Sequence, residues 1–303
     1  MPSTPQLIIG GLDIIPQLIA NGIVMGSIYA LMGAGLALIF GVSEIVNVAH
    51  GDFLMVGAYV TYAFISILYM DPLTAIVVAM LVSFLLGGLV EKSLVSTVRR
   101  KSPSTYIFMT NTIILTLGVG IFLQNIMLWI AGPFYRMTPP LLDQVFEFYG
   151  AIIFAQRLLA LGIALAVIGL LFLFLRRTKL GKAIRATAQD ADAAEIMGIN
   201  IHRIRMINFG LGVGLASVAG SLIAPIFFIF PMMGWIPTIK AFVVIIMGGM
   251  TVEGAIFSGF ILGLAESFGG QFISTEYKAA IGLIIMLLVL VFKPEGLFGK
   301  RIL

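Results

Sequence analysis

Apolar runs long enough to cross a bilayer recur from one end of this chain to the other, and no other feature restricts its fold so strongly. A helix needs about 20 apolar residues to span the hydrocarbon. The runs fall at about 17–40, 45–70, 72–97, 106–131, 151–175, 206–230, 237–251, 252–272 and 278–292. A transmembrane barrel would show short alternating segments of about ten residues instead. Composition agrees: 60% of the 303 residues are hydrophobic and only 11% are charged, against about 25% charged in a soluble domain. The expected fold is an all-α integral membrane protein: one domain over 1–303, a polytopic bundle of eight or nine transmembrane segments with broken or re-entrant helices and an internal pseudo-repeat. The count turns on 237–251, which is short and ends in Gly248 and Gly249 and so suits a re-entrant or broken helix as well as a full crossing. If that run does not cross, parity puts the basic C-terminal tail on the side opposite the other basic loops.

Charge sets the expected orientation. Most basic residues sit in "VRRK" (98–101), "RRTKLGKAIR" (176–185), "HRIR" (202–205) and "KPEGLFGKR" (293–301), as the positive-inside rule predicts for cytoplasmic segments. The chain is therefore expected to be multi-pass in the plasma (cytoplasmic or inner) membrane, N-terminus outside, basic loops and C-terminus inside. The loop 132–150 is then the largest outer feature. The opening residues carry no Lys or Arg, which argues against a cleavable signal peptide. The formal charge of +4 is accounted for by these loops, and no soluble basic domain is present to bind nucleic acid. With no cysteine and two histidines, His50 and His202, no metal site is expected.

Ionisable groups in hydrocarbon usually face a polar cavity or one another, so the polar residues within the apolar runs are the candidates for a translocation pathway. In "NVAHGDF", Asn47, His50 and Asp52 fall within six positions. They either line a vestibule or sit at the cytoplasmic interface, with His50 and Asp52 capping a helix. Lys240 follows Trp235 and Pro237. It is either a lysine that snorkels to the outer surface or a fixed cation able to meet a substrate carboxylate. Tyr29 and Asn21 are pathway candidates by position, while Glu91 and Glu266 suit structural pairs. Two glycine-rich segments, with Gly22, Gly26, Gly33 and Gly35 in one and Gly210, Gly212, Gly214 and Gly220 in the other, allow close helix packing. Each precedes a polar-interrupted stretch, the arrangement of matching halves in transporters with structural repeats.

The basic loop at 176–205 reads as an exposed helix from about 180 to 197, with Gly198 as its stop and Asn200 as a cap for the next segment. Ile184, Ala188, Ala191 and Ala194 form a narrow face suited to a groove on a cytosolic partner. No phosphate-binding loop, nucleophile elbow or metalloprotease motif occurs. No catalytic residue is expected, and energy for uphill transport must come from a partner or an ion gradient.

Several stretches together resemble the LivH-type permease subunits of ABC importers for branched-chain amino acids: "NGIVMGSIYALMGAGLALIFGVSEIVNVAHGDFLMVGAYV" (21–60), "RATAQDADAAEIMGIN" (185–200), "KAFVVIIMGGM" (240–250) and "VFKPEGLFGK" (291–300). The resemblance implies a permease paired with a LivM-type subunit, two cytosolic ATPases that bind ATP and Mg, and an external substrate-binding protein that delivers an amino acid. It also implies an "EAA…G" coupling element. Asp192, Ala193, Ala194 and Gly198 match that spacing, with Asp for Glu, and Arg185 opens the matching stretch. The competing expectation is a proton-coupled carrier or channel for a small solute such as urea or an amide, with His50 and Asp52 as its titrating pair.

Overall fold

The computed structural model describes residues 14–140, 142, 144–148, 151–274 and 276–299. The opening thirteen residues, on which the outward N-terminus and the uncleaved start bear, lie outside those described. In chain order the elements are α1 (Ile15–Ser43), α2 (His50–Tyr62, continuing as a wider π-helical turn to Ile67), α3 (Pro72–Val90), a second π-helical turn (Glu91–Val95), α4 (Ser96–Lys101) and α5 (Thr105–Ala131). A hairpin of β1 (Val145–Phe148) and β2 (Ala151–Phe154) comes next, then α6 (Ala155–Arg177), α7 (Lys179–Gln189), α8 (Ala191–Ile196), α9 (Ile201–Ile223), α10 (Trp235–Met247), α11 (Val252–Phe272) and α12 (Lys278–Phe292).

Every apolar run of the sequence contains a helix, and six helices among the described residues are long and apolar enough to cross a membrane. Two boundaries differ from expectation. Residues 151–154 are not the start of a membrane helix; they form β2, paired antiparallel with β1 from Val145↔Phe154 to Phe148↔Ala151. Both strands are rich in aromatic and β-branched residues that suit a pleated surface, and a short apolar run alone does not distinguish strand from helix. The run beginning at 45 is not helical until His50.

The short α10 resolves the question of parity. It ends beside the C-terminal segment, where Leu297 N–H donates to Met247 O at 2.8 Å. Its other end does not reach the opposite side of the bundle. A carbon added at Gly234 would land on the backbone of Gly51, and His50 Nε2 in turn lies 3.0 Å from the carbonyl of Met32, near the middle of α1. Between α9 and α10 the chain first reaches the far end, where Ile229 and Arg136 bridge, and then folds back to the middle. The irregular leg and the short helix together make one return, so the residues after α12 lie at the basic end although α10 does not span by itself.

The same construction occurs twice, in opposite directions. α1 runs toward the basic end, where Arg99 donates to Ser43 O at 2.7 Å; an extended leg then re-enters the bundle and α2 starts midway. α9 runs away from the basic end, its leg folds back, and α10 starts midway. α1 packs most extensively on α11 and α9 on α3, and α1 and α9 pack on each other. Glycines permit this. Methyl groups at Gly22 and Gly26 would meet the α11 backbone, and one at Gly35 the carbonyl of Gly212, so these backbones approach with nothing between them. The core is the result: α1 and α9 are mostly buried, while α3, α5 and α6 leave most of their apolar surface outward.

Candidate functional site

The candidate residues from the apolar runs fall mainly in two buried polar clusters among the described residues. The first is the junction where the starts of α2 and α10 meet. Thr238 Oγ1 accepts from Gly51 N–H at 2.9 Å and donates to Gly234 O at 2.9 Å, which ties the two helix ends together through one hydroxyl. The His50, Asp52 and Phe53 N–H groups find carbonyls in the leg before α2, and Val48 N–H donates to Thr116 Oγ1 at 3.1 Å. An unpaired amide costs several kcal/mol in hydrocarbon, about the penalty that would otherwise exclude helix ends from this depth.

Asn47, His50 and Asp52 all belong to this junction and all are buried. None of the three is among the residues that line the cavity described below. Neither His50 nor Asp52 caps α2 with its side chain. His50 faces α1, whereas Asp52 Oδ1 accepts from Gln124 Nε2 on α5 at 2.8 Å. They face different partners and share no hydrogen bond, which removes the geometric basis for a titrating pair. Asp52 does sit in the first turn of α2, where its charge opposes the positive end of the helix dipole. The Asn47 amide has no hydrogen-bond partner among the described residues.

The second cluster forms the floor of a cavity of about 420 Å³ between α1, α11 and the start of α12. Lys240 Nζ lies 2.6 Å from Glu266 Oε2 and 2.6 Å from Tyr29 Oη, and Tyr29 donates to the same carboxylate oxygen at 2.8 Å. The ammonium also lies 4.6 Å from the centre of the Tyr29 ring, within cation–π range. The Lys240 side chain is 17% exposed and that of Glu266 6%, so Lys240 reaches inward to a partner and does not snorkel to a surface. Asn21 lines the same cavity, as do Arg157 and Lys278, and Arg157 donates to Asn21 Oδ1 at 2.6 Å. Leu18, Val24, Met25, Ile226 and Phe227 supply its apolar wall, and Ser267 and Gln271 add polar lining.

The sequence singles out Tyr29, Asn21 and Lys240, and the structure brings these three together. It also suggests a structural partner for Glu266, and that partner is Lys240. Arg157 escapes the sequence reading, although a cation a few residues into an apolar run is a readable signal. Glu91, also expected to pair, is buried and makes no ion pair within 4 Å among the described residues.

At the basic end, the expected single helix over 180–197 is two. Asp190 adopts an extended conformation (φ −157°, ψ 107°), and its carboxylate accepts from Ala193 N–H at 2.9 Å to start α8. The small-residue face does not point outward as a unit. Ile184 and Ala194 are buried against the bundle, and Arg185 is held by the carbonyl of Leu175 at 3.1 Å. Asp192, Ala193 and Gly198 are exposed. So are Ile196 and Met197, at 86% and 81%, two large apolar side chains that the sequence reading misses. Gly198 has φ +85°, a conformation natural to a glycine ending a helix, and Asn200 caps α9 by accepting from Arg203 N–H at 3.0 Å.

Residues 18–290 match the family model described as branched-chain amino acid transport system / permease component. The chain is 31% identical over 293 residues to the high-affinity branched-chain amino acid transport system permease protein BraD of Pseudomonas aeruginosa, covering 94% of this chain and 95% of that one. It is 30% identical over 300 residues to the corresponding LivH protein of Escherichia coli, with the same coverage. Among solved structures, PsaBC from Streptococcus pneumoniae in complex with Fab matches with a TM-score of 0.50 at 14% identity, over 95% of this chain and 97% of that chain. That last likeness concerns the fold alone.

Proposed function

Since this chain belongs to the permease family of branched-chain amino acid transport systems, we propose that it is the LivH-type membrane subunit of an ATP-driven importer and passes branched-chain amino acids by alternating access. It pairs with a LivM-type permease. Two cytosolic ATPases bind ATP and Mg, and an external binding protein delivers the substrate. The basic end faces the cytoplasm, in keeping with the positive-inside rule, and the Lys240 cavity then opens on the outer side of a cytoplasmic membrane. Tyr29 and Lys240 line the pathway. Asn47, His50 and Asp52 serve it indirectly, by holding together the two half-helices between which it must open.

The observation that carries this reading is the solvent-facing step at Asp192, Ala193, Ile196 and Met197 on a chain without a nucleotide-binding motif. Large apolar side chains so exposed at the end of a membrane bundle suit a partner's groove. Alanine-sized and acidic neighbours, with the turn at Gly198, shape that step, while Arg185 and Ala194 fasten it to the bundle so that its displacement is passed on.

The test is amino-acid uptake by the reconstituted complex with ATP on the cytoplasmic side, comparing wild type with an Ala193→Asp/Gly198→Leu double variant. Loss of ATP-driven uptake together with loss of ATPase co-purification, at normal expression, is the expected result. Uptake without ATP or partners would replace this reading with that of a gradient-driven carrier.

A further inference from the structure

The ion pair at the cavity floor is built from incomplete partners. An ammonium has three donors, and Tyr29 and Glu266 account for two of those on Lys240. Glu266 receives both of its hydrogen bonds on Oε2, and its buried Oε1 has no hydrogen-bond partner among the described residues. Both groups line a cavity whose other charged residues, Arg157 and Lys278, are cations and whose remaining lining mixes apolar side chains with Asn21, Ser267 and Gln271. Lys240 thus keeps one unused donor beside a space of about 420 Å³, and Glu266 can meet a cation there when the pair opens.

We propose that this floor recognises the charged backbone of an α-amino acid, with Lys240 taking the carboxylate, Glu266 the ammonium, and the wall from Val24 to Phe227 the aliphatic side chain. The assignment rests on the cavity being part of the pathway, as proposed above. The reason is an exchange of partners. A buried ion pair is costly to open when one member is left alone. A carboxylate without an amine would satisfy Lys240 and strand Glu266; an amine without a carboxylate would do the reverse; a neutral solute would compensate neither. An α-amino acid zwitterion carries both charged groups on one carbon and replaces one ion pair with two. Tyr29, which bonds both partners, can stay with either one. The cations Arg157 and Lys278, which make no ion pair among the described residues, favour entry with the carboxylate leading. Binding stays weak because each new contact costs an old one, which suits a site that must release what it takes.

The test needs neither ATP nor a binding protein. The full-length chain, purified in detergent with its co-purifying subunits, is presented at millimolar concentration with leucine, 4-methylpentanoate (leucine without the ammonium) or 3-methylbutylamine (leucine without the carboxylate). Binding is read by saturation-transfer NMR. Leucine is expected to give a signal at least fivefold above either half-charged analogue, and this preference is expected to vanish in Lys240→Met/Glu266→Gln. That double variant removes both charges together, so it leaves neither stranded; assembly is checked by size-exclusion chromatography. Conservative Lys240→Arg is expected to retain part of the preference. Equal signals from the three ligands in wild type, or an undiminished leucine preference in the double variant, would overturn the proposal. ATP-driven uptake of leucine alongside either result would sink this assignment and leave the importer reading standing. An intact preference without ATP-driven uptake would sink the importer reading alone.

Discussion

Thr238 and Lys240 stand two residues apart on α10 and serve opposite surroundings. Thr238 points into a joint where two helix starts meet with no space between their backbones; Lys240 points into an open, charged cavity. Both are polar groups deep in an apolar chain, and each is explained by what it satisfies. In the joint, the hydroxyls of Thr238 and Thr116 pair with backbone that would otherwise be stranded in hydrocarbon. In the cavity, charges pair with each other and keep part of their surface open. One helix therefore divides a structural seam from an open cavity.

The largest difference should appear when a charge is removed. Lys240→Met leaves Glu266 buried without its cation, and breaking a buried pair in this way costs about 3–5 kcal/mol. Lys240→Met/Glu266→Leu, which removes both charges, should return to within about 1 kcal/mol of wild type. Thermal unfolding of the purified chain in detergent reads both. If the single change costs as little as the double, solvent in the cavity screens the pair as it would at a surface, and the floor loses its distinction from an exposed salt bridge.

On the other side of α10, size should matter in place of charge. Gly51→Ala places a methyl group on the Gly234 carbonyl, which is backbone and cannot rotate away. Either the helix starts separate or Thr238 loses its bridging position. Overpacking of this kind costs about 1–3 kcal/mol, occasionally more, and Gly234→Ala should behave alike for the reciprocal reason. The corresponding readout is hydrogen exchange at Gly51 and Thr238, which should rise together in either variant. A rise at only one of them would mean that the joint is two separate contacts.

A smaller effect is expected at the edge of the joint. Gln124→Leu removes the hydrogen bond to Asp52 and leaves that carboxylate without its donor, a loss of about 1–3 kcal/mol. Asp52→Asn keeps a polar partner for Gln124 and should cost less. Equal costs would show that Asp52 matters for its charge at the start of α2 more than for this bond.

Much of the architecture is readable from the sequence because apolar length and basic loops are one-dimensional signals. Helix existence, the glycine-lined packing of α1 and α9, the broken character of 237–251 and the stop at Gly198 all arise from local residue types. What escapes is depth. "NVAHGDF" carries the same residues whether it lies at a membrane surface or midway through a bundle, and a return leg such as 44–49 has no period to betray it. The floor of the cavity joins Tyr29, Lys240 and Glu266 from three helices, and only the crossing of α1, α10 and α11 places them together. The α8 surface escapes for a related reason: a helical face predicts which side is apolar, but a break at Asp190 changes which way that side points.

The least effect should come from a methyl group added on the cavity side, and that change tests the contrast most sharply. Gly270 is buried and lines the cavity; a methyl group there would meet the end of the Lys278 side chain. Unlike the Gly234 carbonyl, that side chain is long, exposed and free to choose another rotamer. Replacing glycine by alanine within α11 also improves helix propensity by up to about 1 kcal/mol. Gly270→Ala is therefore expected to leave the unfolding temperature unchanged or slightly raised, although its steric conflict looks as severe on paper as that at Gly51. Should it prove as damaging as Gly51→Ala, Lys278 is held as firmly as backbone, and the cavity mouth is then a second joint instead of an opening through which a solute reaches Lys240.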